Sequence, residues 1–246
     1  MDDVLRMARV RLNGSSVMRI GGRPALAREF LDEGYLVHCA LKELFGDAAP
    51  APFAIQGSKG SWIEVLGYTA TDAAEMRALA EQRMQAVPQM KPMLNRETLE
   101  TKKMPDVFSA GSRYAFRVRA CPVVRRARGS QRQAAGSEVD AFLVAVERAG
   151  GNTPVDRQEV YRNWIQETIG RTGAAECANV RITAMQLARM VRRSADRKAV
   201  AVGRPDVTFE GTLTVKAAIA FRDLVRRGIG RHRSFGFGML LLRPIG

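Results

Sequence analysis

Hydrophobic and polar positions interchange in short runs from the start of the chain. Leu5, Met7, Val10 and Leu12 are apolar with arginines between them, which predicts an opening strand ended by Asn13-Gly14-Ser15-Ser16. After a loop reaching Gly21-Gly22-Arg23, Pro24 suits the first position of a helix. Helical spacing then runs to about Phe45 with an interruption at Gly34, and Val37, Leu41, Leu44 and Phe45 form the apolar stripe of the second segment. Pro52 to Gln56 and Trp62 to Tyr68 read as strands around the turn Gly57-Ser58-Lys59-Gly60. Thr71-Asp72 caps a helix from about Ala73 to Ala86, stopped by Pro88. A short edge strand falls around Val87 to Leu94, broken by two prolines.

That order, strand-helix-strand-strand-helix-strand, is a ferredoxin-like plan, and it fills residues 1–95. Residues 96–112 are polar, carry Thr101-Lys102-Lys103 and Pro105, and read as a linker. The pattern restarts at Arg113-Tyr114-Ala115-Phe116-Arg117-Val118-Arg119-Ala120, where apolar residues face one way and arginines the other. Asp156 to Ile169 reads as a helix, Val207 to Val215 as a strand interrupted by Gly211, Lys216 to Arg227 as a helix and Met239 to Arg243 as the last strand. Leu187, Met190 and Val191 share a helical face, with Arg189, Arg192, Arg193, Arg197 and Lys198 around the rest. The expectation is an α+β chain of two tandem ferredoxin-like (RRM-like) domains, 1–95 and 113–246, the second with an Arg-rich helical insertion.

Composition narrows the function. The chain has 246 residues, of which 46% are hydrophobic and 26% charged, a globular balance that excludes a disordered basic tail. It contains no run of about 18 apolar residues, and its start, Met1-Asp2-Asp3, lacks the layout of a signal peptide, so a cytoplasmic protein without membrane contact is expected. Cys39, Cys121 and Cys177 are far apart and form no Cys/His pairing, which leaves neither a disulfide framework nor a zinc site, and no acidic metal cluster is visible. The net charge of +14 calls for an anionic partner. Seven of the 39 basic residues are lysines and the other 32 arginines. A planar guanidinium binds phosphate in bidentate fashion and stacks on bases, so clustered arginine suits an RNA surface. Two clusters stand out: Arg125, Arg126, Arg128 and Arg132 in a small, polar loop, and Arg189, Arg192, Arg193 and Arg197 on the expected helix.

The most informative stretch is Gly228-Ile229-Gly230-Arg231-His232-Arg233-Ser234-Phe235-Gly236-Phe237-Gly238, two Gly-apolar-Gly pairs around a basic core. Glycines allow positive φ and a close approach of phosphate to backbone N–H groups. A nucleotide-binding P-loop follows a strand and opens a helix, whereas this loop follows a helix and opens a strand. The histidines are His38 and His232. Tyr35 and His38, three apart, share a helix face opposite Val37, Leu41 and Leu44, just after the Gly34 break and so near a helix N-terminus that favours phosphate and a neutral imidazole. Arg23 precedes that helix and reaches the same face as a candidate oxyanion stabiliser. His232, between Arg231, Arg233 and Ser234, has its protonation disfavoured by like charge and reads as a phosphate contact.

The glycine frame resembles the C-terminal signature of the RAMP superfamily of CRISPR-associated proteins. Gly34-Tyr35-Leu36-Val37-His38-Cys39-Ala40-Leu41, Tyr114-Ala115-Phe116-Arg117-Val118-Arg119-Ala120-Cys121-Pro122 and Phe209-Glu210-Gly211-Thr212-Leu213 are similar to its repeat-cleaving CasE branch (type I-E). The Arg-dense second half also resembles the crRNA-processing nuclease of type IV systems. The resemblance implies two RAMP domains and a cofactor-free, metal-independent endoribonuclease that cuts CRISPR repeat RNA, often a hairpin, to mature crRNA. It implies His38 as general base or acid and Tyr35 as the group that positions the 2′-OH or the phosphate. Gly228, Gly230, Arg231, His232, Arg233, Ser234, Gly236 and Gly238, with Arg125, Arg126, Arg128, Arg189, Arg192, Arg193 and Arg197, are the expected RNA contacts, and other CRISPR effector subunits are expected partners. The alternative is a non-catalytic RAMP subunit that holds guide RNA with the same loop.

Overall fold

A computed structural model of the chain describes residues 4–20, 32–126, 136–150, 153–193 and 199–245, the side chains of residues 20, 189–193 and 199–201 excepted. In the first half, β1 (Arg6–Asn13) leads to α1 (Gly14–Ile20) and α2 (Glu33–Phe45), the hairpin β2 (Phe53–Lys59) and β3 (Trp62–Thr69), then α3 (Ala73–Ala86) and β4 (Glu100–Lys103). The sheet order is β2-β3-β1-β4, antiparallel throughout. Alternation in β1 buries Ala8, Val10 and Leu12 against Val37, Leu41 and Leu44 of α2 and Met76 and Ala80 of α3. Asp72 caps α3 by accepting from Glu75 N–H at 2.9 Å, a bond worth about 1 kcal/mol.

The second half repeats the plan. β5 (Arg113–Ala120) is followed by the small hairpin β6 (Val123–Arg125) and β7 (Glu138–Asp140), helices α4 (Ala141–Arg148) and α5 (Arg157–Gly170), the long hairpin β8 (Ala175–Arg193) and β9 (Ala199–Val215), then α6 (Ala218–Arg227) and β10 (Leu241–Ile245). Its sheet order, β10-β5-β9-β8, is that of the first sheet with each strand replaced by its counterpart. Phe116, Val118, Phe209 and Leu213 of this sheet pack on Tyr161, Ile165 and Ile169 of α5 and Phe221 and Val225 of α6. The two ferredoxin-like units are joined where the buried Tyr68 hydroxyl donates to Leu240 O at 2.7 Å.

Several expectations are corrected. The Arg-rich stretch is not a helical insertion: Arg189, Arg192 and Arg193 lie on β8, paired with Gly203, Val200 and Ala199. Leu187, assigned to the apolar face of that helix, is 71% exposed. The valine-bearing run of β9 supplies a continuous ladder for these backbone groups, and strand pairing overrides the helical spacing. The fourth strand is Glu100–Lys103, inside the segment read as linker, and not 87–94. Pro88 and Pro92 lack the N–H a ladder needs, so Pro88–Met93 winds into a 3-10 turn that buries Met90 and Met93. The run Gly14-Ser15-Ser16 does not end in a loop but opens α1, whose Ser16 N–H donates to Asn13 Oδ1 at 3.0 Å. The helix expected at Pro24 lies outside the described residues. Among the described residues Cys121 and Cys177 form no disulfide. Among the described residues no helix is long and apolar enough to cross a membrane.

Candidate RNA-processing site

The helix carrying Tyr35 and His38 starts at Glu33, with Asp32 as its N-cap accepting from Tyr35 N–H at 3.1 Å. Gly34 is therefore not a break but part of the first turn. Its glycine identity has another cause. A Cβ at Gly34 would sit 2.1 Å from Phe235 O, so only a bare α-carbon lets the glycine-rich loop of the second half lie on the helix. The Phe235 ring then stacks on Tyr35, with centroids 5.4 Å apart, and meets His232 edge-on at 6.0 Å. Tyr35 and His38 are 6.4 Å apart on the half-buried face of the helix. Residues from the two ends of the chain thus form one row of rings: His38, Tyr35, Phe235, His232.

The interlock is held from beneath by charge. Arg119 of β5 makes two 2.8 Å bonds to the buried Asp206 and lies over the Phe237 ring, 4.2 Å from its centroid. It also donates to Phe235 O at 3.5 Å. Burial pushes the Asp32 carboxyl above its ordinary value, while its bond from Tyr35 N–H and the charge of Arg119 act the other way. The arginine thus supports both the cap of α2 and the loop that packs on it.

All four frame glycines have positive φ, from 72° to 85°. Gly228, Gly230, Gly236 and Gly238 spend that freedom on protein contacts. A Cβ on Gly238 would lie 2.3 Å from Ile229 O, because the two Gly-apolar-Gly segments cross there and Ile229 N–H donates to Gly238 O at 2.8 Å. Ile229 and Phe237 between the glycines are buried. The frame fixes the ends of the loop and presents residues 231–235.

His38 opens on a pocket of about 300 Å³ lined also by Lys42, Tyr68, Thr69 and Arg226 of α6. Burial, and then the Lys42 charge, holds its imidazole below its ordinary value of 6.5, so it is neutral and basic near pH 7. Lys42 and Arg226, which had no motif to mark them in the sequence, place cations beside it. Such a group can take a proton while the cations steady developing negative charge on a phosphate.

On the other side of Phe235 a larger pocket, about 910 Å³, is lined by Arg125, Arg231, His232, Arg233 and Ser234. Arg231 bonds Glu138 at 2.9 Å, and His232 Nε2 lies 3.0 Å from the same carboxylate. The neighbour closest to that imidazole is thus an anion and not the like charges flanking it in sequence. His232 is 7% exposed and supports the loop from behind. Glu138, which also faces Arg204 at 3.6 Å, had no sequence signal. Arg126 pairs with Glu147. Arg23, Arg128 and Arg197 lie outside the described residues, and of Arg189, Arg192 and Arg193 only the strand position is described. The structure therefore brings Tyr35, His38, Arg125, Arg231, His232, Arg233 and Ser234 around one loop.

A family model described as CRISPR associated protein matches residues 7–244. The chain belongs to this CRISPR-associated protein family. A sequence search of curated proteins finds no match. The CRISPR-associated chain has the fold of the Cse3 and Cas6e proteins. A structure of CRISPR endoribonuclease Cse3 bound to a 19-nucleotide RNA superposes with a TM-score of 0.65 at 18% identity, over 98% of this chain and 100% of that one. Cas6e from Escherichia coli K-12 gives 0.58 at 20% identity, again over 98% and 100%. A chain of a CRISPR RNA-guided surveillance complex gives 0.55 at 16% identity, over 97% and 100%.

Proposed function

We propose that the chain is a metal-independent endoribonuclease that cuts CRISPR repeat RNA once per repeat. The observation that carries this reading is His38: a half-buried imidazole held neutral, one helical turn from Tyr35 and beside Lys42 and Arg226. RNA supplies its own nucleophile. His38 takes the proton of a ribose 2′-OH, the 2′-oxygen attacks the adjacent phosphorus, and the bond from phosphorus to the 5′-oxygen breaks. That oxygen gains a proton, leaving a 2′,3′-cyclic phosphate on one product and a 5′-OH on the other. Tyr35, fixed between its helix and the Phe235 ring, positions the 2′-OH or the phosphate. Lys42 and Arg226, with Arg23 ahead of the helix, offset charge on the phosphorane. Arg231, Arg233, Ser234, Arg125 and Arg126 with the loop backbone hold the RNA, joined by Arg128, Arg189, Arg192, Arg193 and Arg197. The RNA-bound Cse3 likeness supports RNA as ligand and the surveillance-complex likeness supports partner CRISPR subunits; in the same reading the product crRNA stays bound and the protein works in the cytoplasm.

The test is cleavage of repeat RNA in EDTA, beside the same RNA with a 2′-deoxy group just upstream of the cut. The expected result is cleavage of the first and not the second. Cutting of the deoxy RNA contradicts the 2′-OH mechanism. Binding of both without cutting points instead to a non-catalytic RAMP subunit.

A further inference from the structure

Many arginines whose side chains are described on the sheets and helices sit against carboxylates, among them Arg9 with Glu100, Arg11 with Glu64, Arg83 with Glu43, Arg157 with Asp140 and Arg181 with Glu210. The pocket beyond Phe235 gathers several that do not. Besides the loop and β6 it is walled by Glu138 of β7 and by the C-terminal half of α5 with its C-cap, which contribute Trp164, Thr168 and Arg171. Of the four arginines around it only Arg231 has a carboxylate partner among the described residues. Arg125 Nε donates to Gly136 O at 3.1 Å, and Arg233 donates to Arg227 O at 2.5 Å. Arg171 donates to Glu167 O at 3.3 Å and to Thr168 Oγ1 at 3.4 Å. Among the described residues each of these three bonds only neutral oxygens, which orient the guanidinium without pairing it to a carboxylate.

Attraction to the negative end of α5 accounts for a cation at Arg171. It does not account for Arg125 and Arg233 converging on the same pocket from a strand and a loop. The carboxylate in the pocket wall, Glu138, is engaged by Arg231, Arg204 and His232, and the three further exposed cations around the same concave site repel one another unless a further anion joins them. The floor is rigid: Trp164 is 7% exposed and its Nε1 donates to Val123 O at 3.3 Å. Ser234 and Thr168 add hydroxyls of the kind that contact phosphate and sugar. The pocket also shares Phe235 with the row of rings that ends at His38.

We propose that the pocket formed by Arg125, Thr168, Arg171, Arg233 and Ser234 is a binding site for the sugar-phosphate backbone of the RNA strand flanking the cut, with Arg171 of α5 as a phosphate contact. This rests on the nuclease reading for which RNA enters, but not for whether the pocket binds a polynucleotide. The test measures affinity of Arg171→Gln for the 2′-deoxy repeat RNA and for a uridine oligomer across a salt series, together with single-turnover cleavage of repeat RNA at saturating protein. Arg96→Gln, which removes the same charge outside the pocket, is the control. The expected result for Arg171→Gln is a roughly three- to tenfold weaker Kd and a slope of log Kd against log salt smaller by about 0.7 to 0.9. An unchanged Kd and salt slope, or the same change in Arg96→Gln, overturns the proposal. If wild-type protein cuts nothing in EDTA, the nuclease reading fails, and the binding measurements still decide the pocket.

Discussion

The α2 face and the loop at 228–238 meet at one ring stack yet are built for different work. The helix face is poor in charge: His38 and Tyr35 are half buried, and among the described residues Lys42 of α2 and Arg226 of α6 are the cations lining the His38 pocket. The loop has Arg231 and Arg233 exposed on a frame of crossed glycines and buried rings. A proton-transfer group needs a neutral, partly desolvated imidazole, and a crowd of cations around it would be wasted in solvent. A polyanion site needs exposed charge in a fixed place. The separation teaches that rate should reside on the α2 side, with Arg226 reaching it from the second half, and affinity on the loop, with Phe235 as the join.

The largest effect expected is on the helix. His38→Ala should lower the single-turnover rate about 10²- to 10⁴-fold with little change in the Kd for repeat RNA. Next is Gly34→Ala, which tests the join: a methyl 2.1 Å from Phe235 O forces the loop off α2. The expected results are a rate loss on the order of 10²-fold and destabilisation of about 1–3 kcal/mol, measured by single-turnover kinetics and denaturant melts. Arg231→Ala with Arg233→Ala should act on affinity instead. It should flatten the salt dependence of Kd by about 0.7–0.9 for each phosphate left without its arginine, with the rate at saturation nearly unchanged.

The smallest effect is a shift in pH. Because burial and the Lys42 charge hold His38 below 6.5, the limb of the pH-rate profile that it governs has its midpoint below that value. It is the acid limb if His38 is the base, since protonation then removes activity, and the alkaline limb if it is the acid. Removing the nearby charge favours the protonated form, so Lys42→Met moves that midpoint upward. A profile that does not move contradicts the assignment.

How much of this was legible in the sequence follows the range of the interactions. β5 and α3 were readable almost to the residue, because strict alternation over 113–120 and an Asp cap ahead of Ala73 are local signals. The face shared by Tyr35 and His38 was readable for the same reason. The segment at 187–193 was not: its apolar spacing fits a helix, and only its ladder to β9 makes it a strand. Gly34 was read as a break because nothing nearby explains a glycine there, while its cause, Phe235, is at the other end of the chain. The glycine frame was recognised, but its four α-carbons face protein atoms, a packing role that the motif alone does not distinguish from a phosphate cradle. Glu138 and Arg171 carry no pattern at all and gain meaning only from the pocket they share with the loop.

The division of labour between helix and loop is tested most directly by crossing His38→Ala with the Arg231→Ala, Arg233→Ala pair and measuring Kd and single-turnover rate for all four proteins on one repeat RNA. The account predicts that the rate loss follows His38 alone, the affinity loss follows the arginines alone, and the combined protein shows both losses at full size. If His38→Ala weakens binding as much as the arginine pair does, or the arginine pair slows cleavage at saturation as much as His38→Ala does, the division is contradicted.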